Sequence, residues 1–152
     1  VRPRASALRI GALALAALAV AGCGHIVMLH DPLSANEHND LGVAYETRGE
    51  RDLAANEYER ALKIDSHHAR ARVNLGNVEA ARGRWKDAER CFRRALRDSS
   101  TDSDAMNNLA VALMRQGRRD EARGFAEAAI RAGGARDSIY RATLEEIQAA
   151  PR

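Results

Sequence analysis

The sequence has few of the residues that carry catalysis or covalent rigidity. Two cysteines, Cys23 and Cys91, are too few for a disulfide framework. Aromatic residues make up 4% of the chain while alanine is abundant, a balance suited to close helix packing. A bilayer-spanning helix needs ~20 apolar residues. The apolar run between Arg9 and Cys23 has only thirteen uncharged residues. No Gly-rich phosphate loop and no nucleophile–base arrangement is visible, so the chain reads as a non-enzyme with no cofactor. The histidines, His25, His30, His38, His67 and His68, are scattered, with no Cys, Glu or further His at metal-ligand spacing. His67-His68 reads as a solvated turn. A one-sided charge is missing too. The formal charge of +3 traces to Arg2, Arg4 and Arg9, which lie in a segment without Asp or Glu before Asp31. From residue 23 onward, 21 Lys and Arg face 21 Asp and Glu. Nucleic-acid binding needs clustered cations that displace counterions, and a neutral body gives it no support.

What the chain does have is internal repetition. Leu75-Gly76, Gly83, Ala88, Phe92 and Ala95-Leu96 find counterparts 34 residues earlier in Leu41-Gly42, Gly49, Ala54, Tyr58 and Ala61-Leu62. A further 34 residues on stand Leu109-Ala110, Gly117, Ala122, Ala126 and Ala129-Ile130. A period of 34 without insertion predicts stacked helix–turn–helix units, each too small to bury its apolar face alone. The pattern predicts helices over 35–48 and 51–64, 69–82 and 85–98, and 103–116 and 119–132. Gly49, Gly83 and Gly117 fall at the turn inside each pair, where a left-handed residue commonly ends a helix. Asp65-Ser66, Ser99-Ser100 and Gly133-Gly134 separate the pairs. Ser34-Ala-Asn-Glu37 has the form of a capping box. Asp137 is expected to cap a seventh helix to about Gln148, with Ile139, Tyr140, Leu144 and Ile147 on or near one face. Cys91 reads as a small packing residue beside Phe92, or alternatively as a thiol that pairs between molecules. Arg93-Arg94 and Arg118-Arg119, set among acids, read as solvated faces.

Residues 1–22 read as a secretion signal: a basic start, an apolar stretch from Ile10 to Val20, then small residues before Cys23. Val20-Ala21-Gly22-Cys23 resembles the lipobox of bacterial lipoproteins. That resemblance implies cleavage before Cys23, acyl chains on it, and an envelope protein facing the periplasm. Gly24, where Asp is absent, implies sorting onward to an outer membrane. The alternative is an ordinary signal or an uncleaved anchor, with Cys23 a bystander. Residues 23–34 form a tether whose part beyond the cysteine reaches at most about 35–40 Å, which keeps the repeats close to the membrane. Its apolar Ile26-Val27-Met28-Leu29 is expected to cover the open end of the first repeat; a partner contact or bound-peptide mimic is the alternative.

The repeated positions resemble the tetratricopeptide repeat (TPR): Leu-Gly, an aromatic, Gly at the turn, then Ala, an aromatic and Ala-Leu. Leu41, Gly42, Tyr45, Gly49, Ala54, Tyr58 and Ala61 carry the fullest copy. The second copy has Glu79 in place of the first aromatic. The third has Ala110 for Gly, Leu113 for Tyr and Ala126 for the later aromatic. The resemblance implies an all-α, right-handed solenoid of three units, 35–68, 69–102 and 103–136, closed by a capping helix and tail over 137–152. It also implies a concave groove lined by the first helix of each pair.

By that geometry the groove is lined at Asn39, Asp40, Val43, Arg70, Asn74, Asn77, Asp104, Asn107, Asn108 and their neighbours. A side-chain amide both donates and accepts, so a ladder of Asn would suit the backbone of an extended peptide. The alternative is that these Asn bond neighbouring helices. Chaperone-tail binding members of the family clamp a terminal carboxylate with two Lys, one Arg and two Asn. At the corresponding positions, Asn39, Val43, Asn74, Asp104 and Asn108, only Asn74 matches, which argues against that role. The resemblance therefore implies a membrane-anchored protein–protein adaptor that holds a protein or peptide partner. Alternatives are an assembly factor for pilus, secretin or outer-membrane complexes, or an accessory subunit of a papain-like peptidase. The last is suggested by Met28-Leu-His-Asp-Pro-Leu33.

Overall fold

The computed structural model describes residues 31–149. The signal over 1–22, Cys23, His25, His30 and the apolar Ile26–Leu29 lie outside the described residues. Among the described residues seven α-helices and no strands occur. They are α1 (Ala35–Thr47), α2 (Arg51–Ile64), α3 (Ala69–Ala81), α4 (Trp85–Asp98), α5 (Ser103–Arg115), α6 (Arg119–Ala132) and α7 (Asp137–Ala149). Helix starts fall where the sequence places them, and the first helices end one residue earlier than expected. The chain is an all-α solenoid of helix pairs.

Local chemistry accounts for the helix ends. Ser34 and Glu37 form the capping box: Ser34 Oγ accepts from the Glu37 N–H, and the Glu37 carboxylate accepts from the Ser34 N–H at 2.7 Å. Asp102 caps α5 by accepting from the Ala105 N–H at 2.9 Å. His68 caps α3, its Nδ1 accepting from the Ala71 N–H, and its Nε2 lies 2.9 Å from Asn36 Oδ1 on α1. His67 Nδ1 lies 2.8 Å from Asp98. His67 is the exposed turn residue expected, whereas His68 is half-buried and links α3 to α1. Gly49, Gly83 and Gly117 take φ of 77°, 74° and 78°, a region that a Cβ disfavours.

Each helix packs against the next, and the first helices also touch one another in the order α1, α3, α5, α7. Among the described residues the backbones of α2, α4 and α6 make no such mutual approach. Close spacing on one side and wide spacing on the other makes α1, α3 and α5 the concave layer. The core follows the repeat. Tyr58, Ala54 and Val78 are buried between the first and second pairs, and Phe92, Leu109, Leu113, Ala122 and Ala126 between the second and third.

Small residues set how closely paired helices approach. A Cβ on Gly76 would lie 2.5 Å from Cε1 of Phe92, and Gly42 stands in the same relation to the ring of Tyr58. At the equivalent place in the third pair, Ala110 faces a helix carrying Ala126, and both are buried. The missing glycine and the missing ring compensate each other, so the departure from the repeat pattern is a change of packing partner.

α7 begins 34 residues after α5 and has the same 13-residue length as α1, α3 and α5. It continues the row of first helices and packs on α5 and α6. Asp137 is its first residue, with its carboxylate 2.7 Å from Arg141 Nε. Tyr140 and Ile147 are buried, but Ile139 is 51% exposed and leaves the apolar face expected for it. Tyr140 O–H donates to Asp104 at 2.8 Å and anchors α7 to α5.

Candidate functional site

The concave layer is where the expected groove residues meet, and their geometry divides them. Asn74 Nδ2 donates to Asn39 Oδ1 at 3.0 Å, and Asn108 Nδ2 donates to Asn77 Oδ1 at 2.9 Å. Each bond spans adjacent first helices, α3 to α1 and α5 to α3. The amides therefore do bond neighbouring helices, and the ladder is real as a structural feature. Asn39 is 1% and Asn107 6% exposed. Burial takes both out of the surface a peptide would touch, although their helix positions had suggested otherwise. Asn39 instead orients Asn74, and Asn107 Oδ1 makes no hydrogen bond in the structure.

Asn74, Asn77 and Asn108 are half-buried and keep part of each amide open. An amide carries two N–H donors and two carbonyl lone pairs, and the interhelical bond uses one of these on each partner. Arg70 at the start of α3 is exposed and makes no ion pair among the described residues. Val43 on α1 is 42% exposed and offers apolar surface beside them. Asp104, by contrast, is engaged by Tyr140 and lies 3.4 Å from Arg136, so the end of the groove is held by α7.

Three other titratable groups, His38, Glu89 and Cys91, are engaged within the fold. His38 is fully buried with Nδ1 2.7 Å from Glu57 Oε2, inside the first pair. Burial pushes the Glu89 carboxyl up, but hydrogen bonds from Arg93, Gln116 and Arg118 outweigh it and hold the group below its ordinary value. Glu89 thereby joins α4 to the α5–α6 turn, with Arg118 Nη1 at 2.8 Å. Burial, helped by Glu79, pushes the Cys91 thiol up to about 11. A thiol held protonated is a poor nucleophile, which suits a packing residue. No group of three or more His, Cys, Asp or Glu among the described residues could hold a metal ion.

Comparison with known proteins agrees with this architecture. Two family models, both described as tetratricopeptide repeat, match residues 77–137 and 47–99. The type IV pilus assembly protein PilF of Pseudomonas aeruginosa is 30% identical over 103 residues, covering 66% of this chain and 41% of that protein. Tetratricopeptide repeat protein 7B of Homo sapiens is 34% identical over 86 residues, which is 57% of this chain and 10% of that protein. The chain thus spans less than half the length of these relatives. Among solved structures, the first TPR of Spaghetti (RPAP3) bound to the HSP90 peptide SRMEEVD gives a TM-score of 0.72 at 17% identity, covering 75% of this chain and 90% of that one. The second TPR domain of human RPAP3, in complex with the HSP70 peptide SGPTIEEVD, gives 0.70 at 19%, covering 76% and 96%. At those identities the likeness establishes the fold. From the unbroken 34-residue register, the paired helices and these matches, the chain belongs to the tetratricopeptide-repeat family.

Proposed function

We propose that this protein is a lipid-anchored adaptor of the bacterial cell envelope, holding an extended segment of a partner protein against α1, α3 and α5. The supporting observation is the line of half-open amides Asn74, Asn77 and Asn108, with Asn74 braced by Asn39 on α1 and Asn108 by Asn77 on α3. Bracing matters because a preorganised donor loses less freedom on binding than a free side chain. Amides that accept and donate suit the peptide backbone, Arg70 adds a cation at one edge, and Val43 adds apolar contact. Anchoring rests on the lipobox-like Val20-Ala21-Gly22-Cys23. Binding by the groove is tested by affinity capture from envelope extracts with wild type and Asn74→Ala/Asn108→Ala. Loss of partner recovery, with the thermal transition unchanged, is expected. Recovery equal to wild type removes the groove from the reading.

Likeness to the type IV pilus assembly protein PilF supports a narrower reading, an assembly factor for a pilus, secretin or outer-membrane complex. Crosslinking of the anchored protein in cells distinguishes the two. A pilus or secretin subunit among the captured proteins favours the narrower role, whereas an envelope peptidase would favour the accessory-subunit alternative.

A further inference from the structure

The wide side of the solenoid carries a feature that the groove does not use. Between α4 and the α5–α6 turn lies a cleft of about 440 Å³, walled along α4 by Lys86, Arg90, Arg94 and Arg97. We propose that this cleft is a second binding site, on the face away from the groove, for an acidic extended segment of a partner protein.

The repeat shows that the fold does not need the charges of Lys86 and Arg90. Lys86 corresponds to Asp52 in the first pair and Asp120 in the third, and Arg90 to Asn56 and Gly124. Arg94 corresponds to Arg60 and Ala128. The same helix thus forms and packs with acidic or neutral residues at the places of Lys86 and Arg90, whereas Arg94 has a cationic counterpart in Arg60 and Arg97 has two, Lys63 and Arg131. With five Lys and Arg against three Asp and Glu, α4 has the largest cationic excess of the seven helices, in a body whose total charge from residue 23 onward is zero.

Their partners differ as well. Arg93 and Arg118 are held by Glu89, at 2.8 Å in each case, and fix the wall next to the α5–α6 turn. Lys86, Arg94 and Arg97 make no ion pair among the described residues, and all three are exposed. One side of the cleft is thus preset and neutralised, while on the other only Arg90 is paired, with Asp87 at 2.8 Å, and Lys86, Arg94 and Arg97 keep their charge. From Lys86 to Arg97 the helix rises roughly 16 Å. That length matches about five residues of extended chain. The recess is open, and its exposed cations suit an extended acidic chain by charge complementarity. Opposite charge in a recess raises the local concentration of an acidic ligand and speeds its capture.

The test uses the full chain and a short fluorescein-labelled peptide of alternating Glu and Gly, followed by anisotropy. Saturable binding is expected near 0.01 M salt and its loss near 1 M, where the screening length falls from ~30 Å to ~3 Å. Lys86→Asp/Arg90→Asn/Arg94→Ala installs residues that the flanking repeats already carry, and should weaken binding at least about tenfold. Lys86→Asp alone, a milder change, should weaken it by about threefold and guards against a folding defect in the triple variant. Asn74→Ala/Asn108→Ala should bind this peptide like wild type, which separates the cleft from the groove. The proposal is overturned if the charge variants bind as wild type does, or if a Lys-Gly peptide binds equally well. It is also overturned if the protein ignores the acidic peptide but sediments with phosphatidylglycerol vesicles or binds inorganic triphosphate.

Discussion

Gly76 and Phe92 show how a single position can be read only together with the residue it faces. Alanine in place of glycine inside a helix ordinarily adds about 1 kcal/mol of stability. Here the new Cβ would meet the Phe92 ring at 2.5 Å, and overpacking of that kind costs about 1–3 kcal/mol or more. Gly76→Ala is therefore expected to destabilise by about 1–2 kcal/mol net in urea unfolding. In a Phe92→Ala background the same change should become neutral or stabilising, as Ala110 with Ala126 implies. An unchanged sign in the two backgrounds would refute the compensation. Cys91 gives a second test at this scale. At pH 8, a thiol pushed up to about 11 carries roughly a hundredfold less thiolate than one at its ordinary 9.0, and since its thiolate is the stronger nucleophile it is expected to react with iodoacetamide about tenfold slower. The sign for stability follows from the raised value. The folded chain holds the proton more tightly, so the contribution is complete below pH 9 and is lost as pH climbs toward 11. Cys91→Ala should flatten the fall of stability across that window, measured by denaturation at fixed pH values.

At the level of elements, one helix pair is rebuilt with different chemistry in each copy. His38 and Glu57 form a buried pair in α1 and α2, whereas the equivalent positions in the third copy are Met106 and Phe125. Removing one partner of a buried hydrogen-bonded pair leaves the other poorly compensated, while replacing both with apolar groups of similar shape is often neutral. His38→Met is expected to cost about 2–4 kcal/mol, since Glu57 would keep only the exposed Arg60. His38→Met/Glu57→Phe should return to within about 1 kcal/mol of wild type. A double variant as weak as the single one would show that the first pair needs its polar contact. Helix boundaries were legible because caps and turn glycines are local: Ser34 with Glu37, and Gly49, Gly83 and Gly117, act within a few residues. The role of His68 was not, because its second partner, Asn36, lies 32 residues away on another first helix.

Over the whole molecule, the contrast is between a closely stacked inner row and a spread outer one. Inner helices touch through Asn pairs, which both builds the groove and consumes part of its amides. Outer helices stand apart, and the gap beside α4 becomes a charged cleft. If Cys23 carries acyl chains, both faces work near a membrane, since two chains hold a protein there stably at ~0.8 kcal/mol per buried CH₂. Cys23→Ser is therefore expected to move the protein from the membrane fraction to the soluble one and to lower its mass by the lipid. Unchanged retention and mass would refute the anchor.

The 34-residue period by itself determined six of the helices and their pairing. A repeated local pattern forces every unit into the same conformation, and neighbouring units can bury their apolar faces only by stacking. Tertiary structure alone decided which polar residues remain reachable. Asn39 and Asn107 occupy groove-side helix positions yet are buried, while Asn74 and Asn108 at the next position stay half-open. That difference depends on the distance between helices from separate repeats, which no single helix encodes. The same holds for α4. Arg93-Arg94 read as a solvated face; Arg94 is exposed, while Arg93 is held by Glu89 beside the turn between α5 and α6, where the cleft lies.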